Sequence, residues 1–391
     1  MHAHLDHCGR LPLLVKRGFK GEILATGATR DLAALVLLDA ARLQGEEAER
    51  NGEVPLYTPD DASATLARFK RTIEYGAVTE LAPGLEVTLY DAGHILGSAS
   101  LRFEASEAGR ARTVVFSGDL GNAGRPLLRD PVAPPPSDIV VMETTYGDRV
   151  HRSIADSVEE LIGTVGAVLS RRGNVVIPTF ALERAQEILY FLRQGAQAGR
   201  LPGTMRVFLD SPQAIAATDL FRAHPEALAP AAAAAFAAGE DLLAPPGLQC
   251  TRDRNASRTI NDVASGAVVL AGSGTATGGR VLYHLRRELP RSSSAVVFVG
   301  FAAAGTPARQ IIDGAHSIRL LGESVAARAS VHTINGFSAH ADRDELLAWH
   351  GYINPVHTFL VHGETDRMRA FAAQLPAGRI DMPASGQGFD L

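Results

Sequence analysis

The chain opens MHAHLDHCG, so His2, His4, Asp6 and His7 fall within its first seven residues in the spacing H-x-H-x-D-H. In an extended segment positions 2, 4 and 6 point the same way, and a turn then adds His7. Imidazole and carboxylate together suit zinc, and four such groups over six residues can serve two ions. The interleaved Asp6 argues against a solvated histidine run.

Three later segments share one grammar, an apolar strand, then a ligand type, with glycine beside it. DAGHILGSAS (91–100) puts His94 on a glycine-flanked turn, SGDLG (117–121) puts Asp119 at a strand end, and TFLVHGE (358–364) ends a strand in His362. Each alone is weak: a core histidine or a turn aspartate is the ordinary reading. Joined to HAHLDH, they give His2, His4 and His94 for one zinc and Asp6, His7 and His362 for the other. Asp119 is suited to bridge.

Composition bounds the rest. At 391 residues the chain can bury a substantial core and is expected to form two domains. Two cysteines, Cys8 and Cys250, cannot build a disulfide framework, so a reducing, cytoplasmic compartment is expected. Cys8 reads as a small buried residue rather than a ligand. The alanine run after Pro230 is broken by Gly239, Glu240 and Asp241 and is too weakly apolar for a membrane span, and a polar N-terminus gives no signal peptide. The net charge of -5 means that nucleic-acid binding would need a local basic groove.

Strands are expected over 22–26, 85–90, 98–104, 112–117 and 138–142, with helices over 29–50 and 62–74. A second αβ run follows, with helices over 154–170, 182–194, 213–222 and 281–288 and strands over 174–178, 206–210, 267–270 and 295–300. A helix over 343–349 and a strand over 358–361 close the chain. Such alternation predicts stacked αβ layers.

The order HxHxDH, His, Asp, His resembles the metallo-β-lactamase superfamily. METTYGDR (142–149), GFSAHAD (336–342) and LVHGE resemble its β-CASP branch, which processes nucleic acids. TFALERAQE (179–187), LDSPQA (209–214), GSGTATGGRVLYHL (272–285) and GFAAAGTPARQIIDGA (300–315) are also similar to that branch. The resemblance implies an α/β protein: a four-layer αββα metallo-β-lactamase domain, formed by 1–148 and 335–391, interrupted by a β-CASP domain over 149–334, with the zinc site in the cleft between. Glu143 matches the branch's first acidic motif, His340 its second and His362 its third. Members that cut RNA resemble this chain in having histidine at the third position, so RNA is the expected partner.

The implied activity is RNA phosphodiester hydrolysis by a hydroxide bridging two Zn2+ ions. His340 would protonate or stabilise the leaving oxygen, oriented by Glu143. Ser338, Ser273 in the glycine-rich turn, and Arg184 and Arg309 are candidate phosphate contacts. Tyr146 would stack on a base or simply pack. The other reading is a non-catalytic RNA-binding scaffold. The family pattern also has a few dozen residues of sheet-forming sequence, with a D-x-G motif, before HxHxDH. An N-terminally shortened relative is therefore expected, with His2 and His4 poorly positioned and an unpaired sheet edge that favours a homodimer.

Overall fold

The computed structural model describes residues 1–107, 109–300 and 302–389; Phe301, within the motif that starts at Gly300, lies outside the described residues. The chain begins with α1 (Leu5–Cys8), α2 (Leu11–Lys16), α3 (Gly27–Asn51) and α4 (Pro59–Leu66). Five strands follow: β1 (Val78–Ala82), β2 (Leu85–Asp91), β3 (Ala99–Glu107), β4 (Arg110–Phe116) and β5 (Ile139–Glu143). The middle of the chain runs α5 (Ile154–Ser170), β6 (Val175–Pro178), α6 (Arg184–Gln197), β7 (Arg206–Asp210), α7 (Pro212–Ala223), α8 (Pro230–Ala237), β8 (Leu248–Cys250) and α9 (Arg254–Thr259). It continues through β9 (Ala267–Ala271), α10 (Val281–Glu288), β10 (Ala295–Phe298), α11 (Pro307–Ile312), β11 (Ser317–Leu320), β12 (Glu323–Ala326) and β13 (Ser330–Thr333). The last elements are α12 (Arg343–Ile353), β14 (His357–Val361), α13 (Thr365–Ala372) and β15 (Arg379–Asp381).

These elements form two compact units, one of Met1–Val150, Glu226–Pro230 and Ala339–Leu391, the other of His151–Pro225 and Ala231–Ser338. The mixed α/β class with an inserted unit agrees with the sequence expectation. The first unit holds one seven-stranded sheet among the described residues, in the order β1-β2-β3-β4-β5-β14-β15. β1 to β4 pair antiparallel; β4, β5, β14 and β15 run parallel. Val140, Met142 and Leu360 pack with Leu346, Trp349 and Ile353 of α12 and Phe371 of α13. A capping box starts α12: Asp342 accepts from the backbone N–H of Asp344 and Glu345, and Glu345 accepts from Asp342 N–H.

The second unit is built on a parallel sheet in the order β13-β10-β6-β9-β7-β8. Its central strands β10, β6 and β9 are buried on both faces, as runs such as VVIP and AVVLA require. Alternation divides them: Val175 and Ile177 pack with α5 and α6, whereas Val176 packs with α10 and α11.

Three local expectations are corrected. Residues 22–26 form no strand, only a single bridge from Ala25 to Thr72. The helix expected over 62–74 is α4, which starts earlier and stops at Leu66. Thr58 and Asp61 form its capping box, and Ile73 N–H is drawn away to the carbonyl of Ala25. The HAHLDH segment is extended only as far as His4, because residues 5–8 turn into α1.

Candidate metal centre

The parallel strands β4, β5 and β14 end side by side, and each delivers a functional group from its C-terminal end. Asp119 follows β4, Glu143 ends β5 and His362 follows β14. Ligands collect at this edge of parallel sheets because the loops leaving the strands converge there. His94 joins them from the β2–β3 connection. Its backbone N–H donates to Ser98 Oγ (3.0 Å), and Gly97, at φ 78°, makes the turn. Thr26 and Thr29 at the start of α3 both donate to the Gly97 carbonyl at 2.7 Å, which ties that turn to the longest helix.

The N-terminal segment reaches the same edge. Ala99 N–H donates to the Met1 carbonyl (3.1 Å), and the Met1 amino group donates back to Ala99. His2 and Ala3 are buried. These contacts hold His2 and His4, which the sequence reading expected to be poorly positioned. The turn into α1 then places Asp6 and His7.

Two donor sets result. His2 Nε2 lies 2.8 Å from His4 Nδ1, and His94 Nε2 lies 3.3 Å from the same atom. Asp119 Oδ2 is 3.6 Å from His2 Nε2 and 3.7 Å from His94 Nε2. Donors about 2.0–2.2 Å from a tetrahedral zinc stand about 3.3–3.6 Å from each other; the His94–His4, His2–Asp119 and His94–Asp119 distances are close to that spacing, whereas His2 and His4 stand nearer to each other. In the second set, Asp6 Oδ2 lies 3.6 Å from His7 Nε2 and 3.4 Å from His362 Nε2. Asp119 Oδ1 is 3.2 Å from His7 Nε2 and 3.5 Å from His362 Nδ1. Asp119 thus turns one oxygen to each set, and all seven predicted ligands converge.

The electrostatics suit cations. Burial pushes His4 down to about 4 and holds His2 and His94 well below the usual imidazole range, so these rings stay neutral. Neutral imidazole is the form that binds a metal. Burial would raise Asp119, but His7 and the surrounding imidazoles hold it well below the usual carboxylate range. His7 Nε2 and Asp119 Oδ1 are buried without a hydrogen-bond partner. Such atoms normally find one, and a shared cation would satisfy both. His362 differs: its hydrogen bond to Asp6 raises it to about 9, so without metal the two form an ion pair. Its backbone φ of 49° is unusual for a non-glycine residue and turns the ring back from the strand end. His94 Nδ1 lies 3.1 Å from the Ala339 carbonyl; donation there leaves Nε2 as the free lone pair.

His340 lies beside the donors, its ring centroid 4.5 Å from that of His94. Its Nδ1 is 3.1 Å from both oxygens of the buried Glu143. Glu143 Oε1 also accepts Leu120 N–H (2.6 Å) and Oε2 accepts Thr145 N–H (3.3 Å). Burial disfavours the charged imidazole, yet the charge and hydrogen bond of Glu143 outweigh it, and His340 is raised above its ordinary value.

The other predicted contacts are placed differently. Arg184 is buried and paired with Glu187, so a phosphate would have to displace that carboxylate. Arg309 is exposed and paired with Asp313 on its own turn. Ser338 and Ser273 belong to the second unit. Ser273 Oγ accepts Thr277 N–H at 3.1 Å within the glycine-rich turn. The Tyr146 ring centroid lies 6.2 Å from that of His340, and the Arg367 guanidinium carbon lies 5.7 Å from the Tyr146 ring centroid. Burial pushes the Cys8 thiol up to about 12, and its Sγ donates to the Ala3 carbonyl. Sequence reasoning missed the clamp on the His340 loop: Asn122 donates to the His340 carbonyl and to Glu345 Oε2. The D-x-x-E spacing at 342–345 was the available signal for half of it.

A cluster of this kind at the mouth of an α/β sheet, with a second α/β unit inserted in the chain, defines a metallo-hydrolase. Residues 185–311 match the Beta-Casp domain, and 324–382 match the Zn-dependent metallo-hydrolase RNA specificity domain. The chain is 41% identical over 375 residues to Ribonuclease TTHA0252 of Thermus thermophilus, covering 96% of this chain and 82% of that protein. It is 32% identical to Transcription termination factor FttA of Methanocaldococcus jannaschii and 31% identical to that of Pyrococcus horikoshii. Those matches cover 95% and 96% of this chain but only 59% and 58% of the two factors. The chain belongs to the β-CASP ribonuclease branch of the metallo-β-lactamase superfamily. Among the described residues, no helix is long and apolar enough to cross a membrane.

Proposed function

We propose that this protein is a zinc-dependent ribonuclease that hydrolyses phosphodiester bonds of RNA. The observation that carries the reading is the pair of donor sets sharing Asp119. His2, His4 and His94 would hold one zinc, Asp6, His7 and His362 the other, with Asp119 between them. When bound, such a pair supplies a nucleophile from water at neutral pH and neutralises charge on the phosphate.

The chain's own residues do the rest. His340 commits Nδ1 to Glu143, which leaves Nε2 to carry a proton toward the leaving oxygen. Glu143 keeps the ring charged and is itself fixed by Leu120 and Thr145 N–H. RNA as substrate rests on the matched RNA specificity domain and on the ribonuclease relative.

The test is to load the purified chain with zinc and follow a single-stranded RNA beside an Asp119→Ala control. Two equivalents of zinc with cleavage that the control lacks is the expected result. Two bound zincs without RNA cleavage would leave the scaffold reading standing.

A further inference from the structure

We propose that Phe180 is a base-stacking platform in a second RNA-contacting crevice, on the inserted unit; this rests on RNA being the substrate. The crevice follows from topology. β6 and β9 are neighbours and run parallel. The chain leaves β6 into α6, whose Ile188, Leu189 and Leu192 pack on one face of the sheet. It leaves β9 into α10, whose Val281 and Leu285 pack on the other face. Where neighbouring parallel strands send their connections to opposite faces, a crevice opens at their C-terminal ends, and ligands bind there.

Phe180 stands at that point, two residues beyond the end of β6. Phe180, Tyr283 and Tyr352 are the aromatic side chains left exposed among the described residues, and Phe180 is 44% exposed. One edge of its ring rests on glycines of the neighbouring strand exits. A Cβ on Gly274, after β9, would come within 2.9 Å of the ring, and one on Gly300, after β10, within 3.4 Å. The glycines seat one edge of the ring, and the residue stays nearly half exposed to solvent.

The walls are fixed. Glu183 has φ 68° and ψ -56°, and Arg184 N–H donates to the Leu182 carbonyl at 2.9 Å. This is a strained three-residue turn. It bends the Phe180 segment out of β6 before α6 begins, and strain of this sort collects at ligand sites. On the β9 side, Arg280 at the end of the glycine-rich turn donates to Asp210 Oδ1 (2.7 Å) at the end of β7. Thr251, Ser257 and His284 complete the partners of that buried carboxylate. A rigid, half-open aromatic beside hydroxyl-bearing turns suits a nucleobase of a single strand, whose π-face stacks whatever its identity.

The test compares wild type, Phe180→Ala and Phe180→Trp, each zinc-loaded, in binding a phosphorothioate-protected single-stranded RNA and the same strand made abasic. Hydrolysis of bis(p-nitrophenyl) phosphate monitors the metal centre. Phe180→Ala should weaken RNA binding by about 5- to 150-fold, the loss that one stacked base contributes. Phe180→Trp should restore binding, the abasic strand should not distinguish the three proteins, and ester hydrolysis should be unchanged. Equal RNA affinity of wild type and Phe180→Ala overturns the platform alone, as does a loss that persists on the abasic strand. A wild type that hydrolyses the ester yet binds no RNA overturns the substrate reading and the platform with it.

Discussion

Glu143 places both carboxylate oxygens 3.1 Å from His340 Nδ1, across 197 residues of sequence. The contact joins the end of β5 to the loop before α12 and sets which nitrogen of His340 faces the donor cluster. It also separates two roles. Glu143 and His340 can form a donor group with Asp119, but the two complete sets around Asp119 do not need them. In an active preparation His340→Ala should slow cleavage by about 10²–10⁴-fold, the usual worth of a general acid. Its zinc content should stay at the wild-type level. Loss of zinc in that variant would make His340 a ligand.

Asp119 is the one residue common to both donor sets. His94→Ala and His362→Ala should each lose one equivalent of zinc, whereas Asp119→Ala should lose both or bind them weakly. Elemental analysis after gel filtration measures this. The same samples should lose thermal stability in proportion, because a ligand bound only by the folded state stabilises it by mass action. Equal zinc in His362→Ala and wild type would remove His362 from the second set.

Asp91 provides a pH signature in the scaffold. It ends β2 and is buried; one oxygen accepts Gly93 N–H at 2.9 Å and the other has no hydrogen-bond partner. Burial raises it from 3.8 to about 7. Between those values the folded state holds a proton that the unfolded state has released. This contribution to stability is therefore present in acid and falls as pH rises toward 7, by about 1.4 kcal/mol per unit. Asp91→Asn keeps an acceptor for Gly93 without the ionisation. Between pH 5 and pH 8 its stability should rise relative to wild type by roughly 2–3 kcal/mol in urea unfolding. A constant difference across that range would contradict the assignment.

The site was legible in sequence where chemistry and position coincide. His94, Asp119 and His362 each follow a strand and sit beside glycine, and the structure places all three at one edge. Helix α5 and strand β7 are where periodicity put them, because their apolar patterns are long or bounded by turn residues. The failures have physical causes. The extended reading ran through Asp6, with the turn only at His7, because a two-residue alternation of ligands mimics a strand, yet Cys8 N–H reaches back to the His4 carbonyl and closes a helical turn that begins at Leu5. The bridge at Ala25 depends on a partner 47 residues away, which no local pattern encodes. The pairing of Arg184 with Glu187 was visible as an i,i+3 spacing, but burial decided that it is made.

A last prediction concerns a residue that ligates nothing. Gly121 follows Asp119 by two positions, and its N–H donates to the Ala92 carbonyl at 2.7 Å. The loop carrying Asp119 therefore lies directly on the loop carrying His94. A Cβ at Gly121 would stand 1.8 Å from the Gly93 carbonyl oxygen and 2.7 Å from His94 N. Both are backbone atoms and cannot swing aside as a side-chain tip would. Gly121 is not in the left-handed region, so Gly121→Ala tests space alone. It should push the two loops apart, cost about 1–3 kcal/mol or more as overpacking does, and spoil the spacing between His94 and Asp119. Gly45→Ala is the control, since a Cβ there meets nothing within 4 Å on an exposed stretch of α3; helix propensity makes it neutral or stabilising by about 0.5–1 kcal/mol. Zinc content and thermal midpoint, measured together, check the pair. Gly121→Ala should fall in both and Gly45→Ala in neither. Full zinc occupancy in Gly121→Ala would show that the contact between the loops does not set the His94–Asp119 geometry.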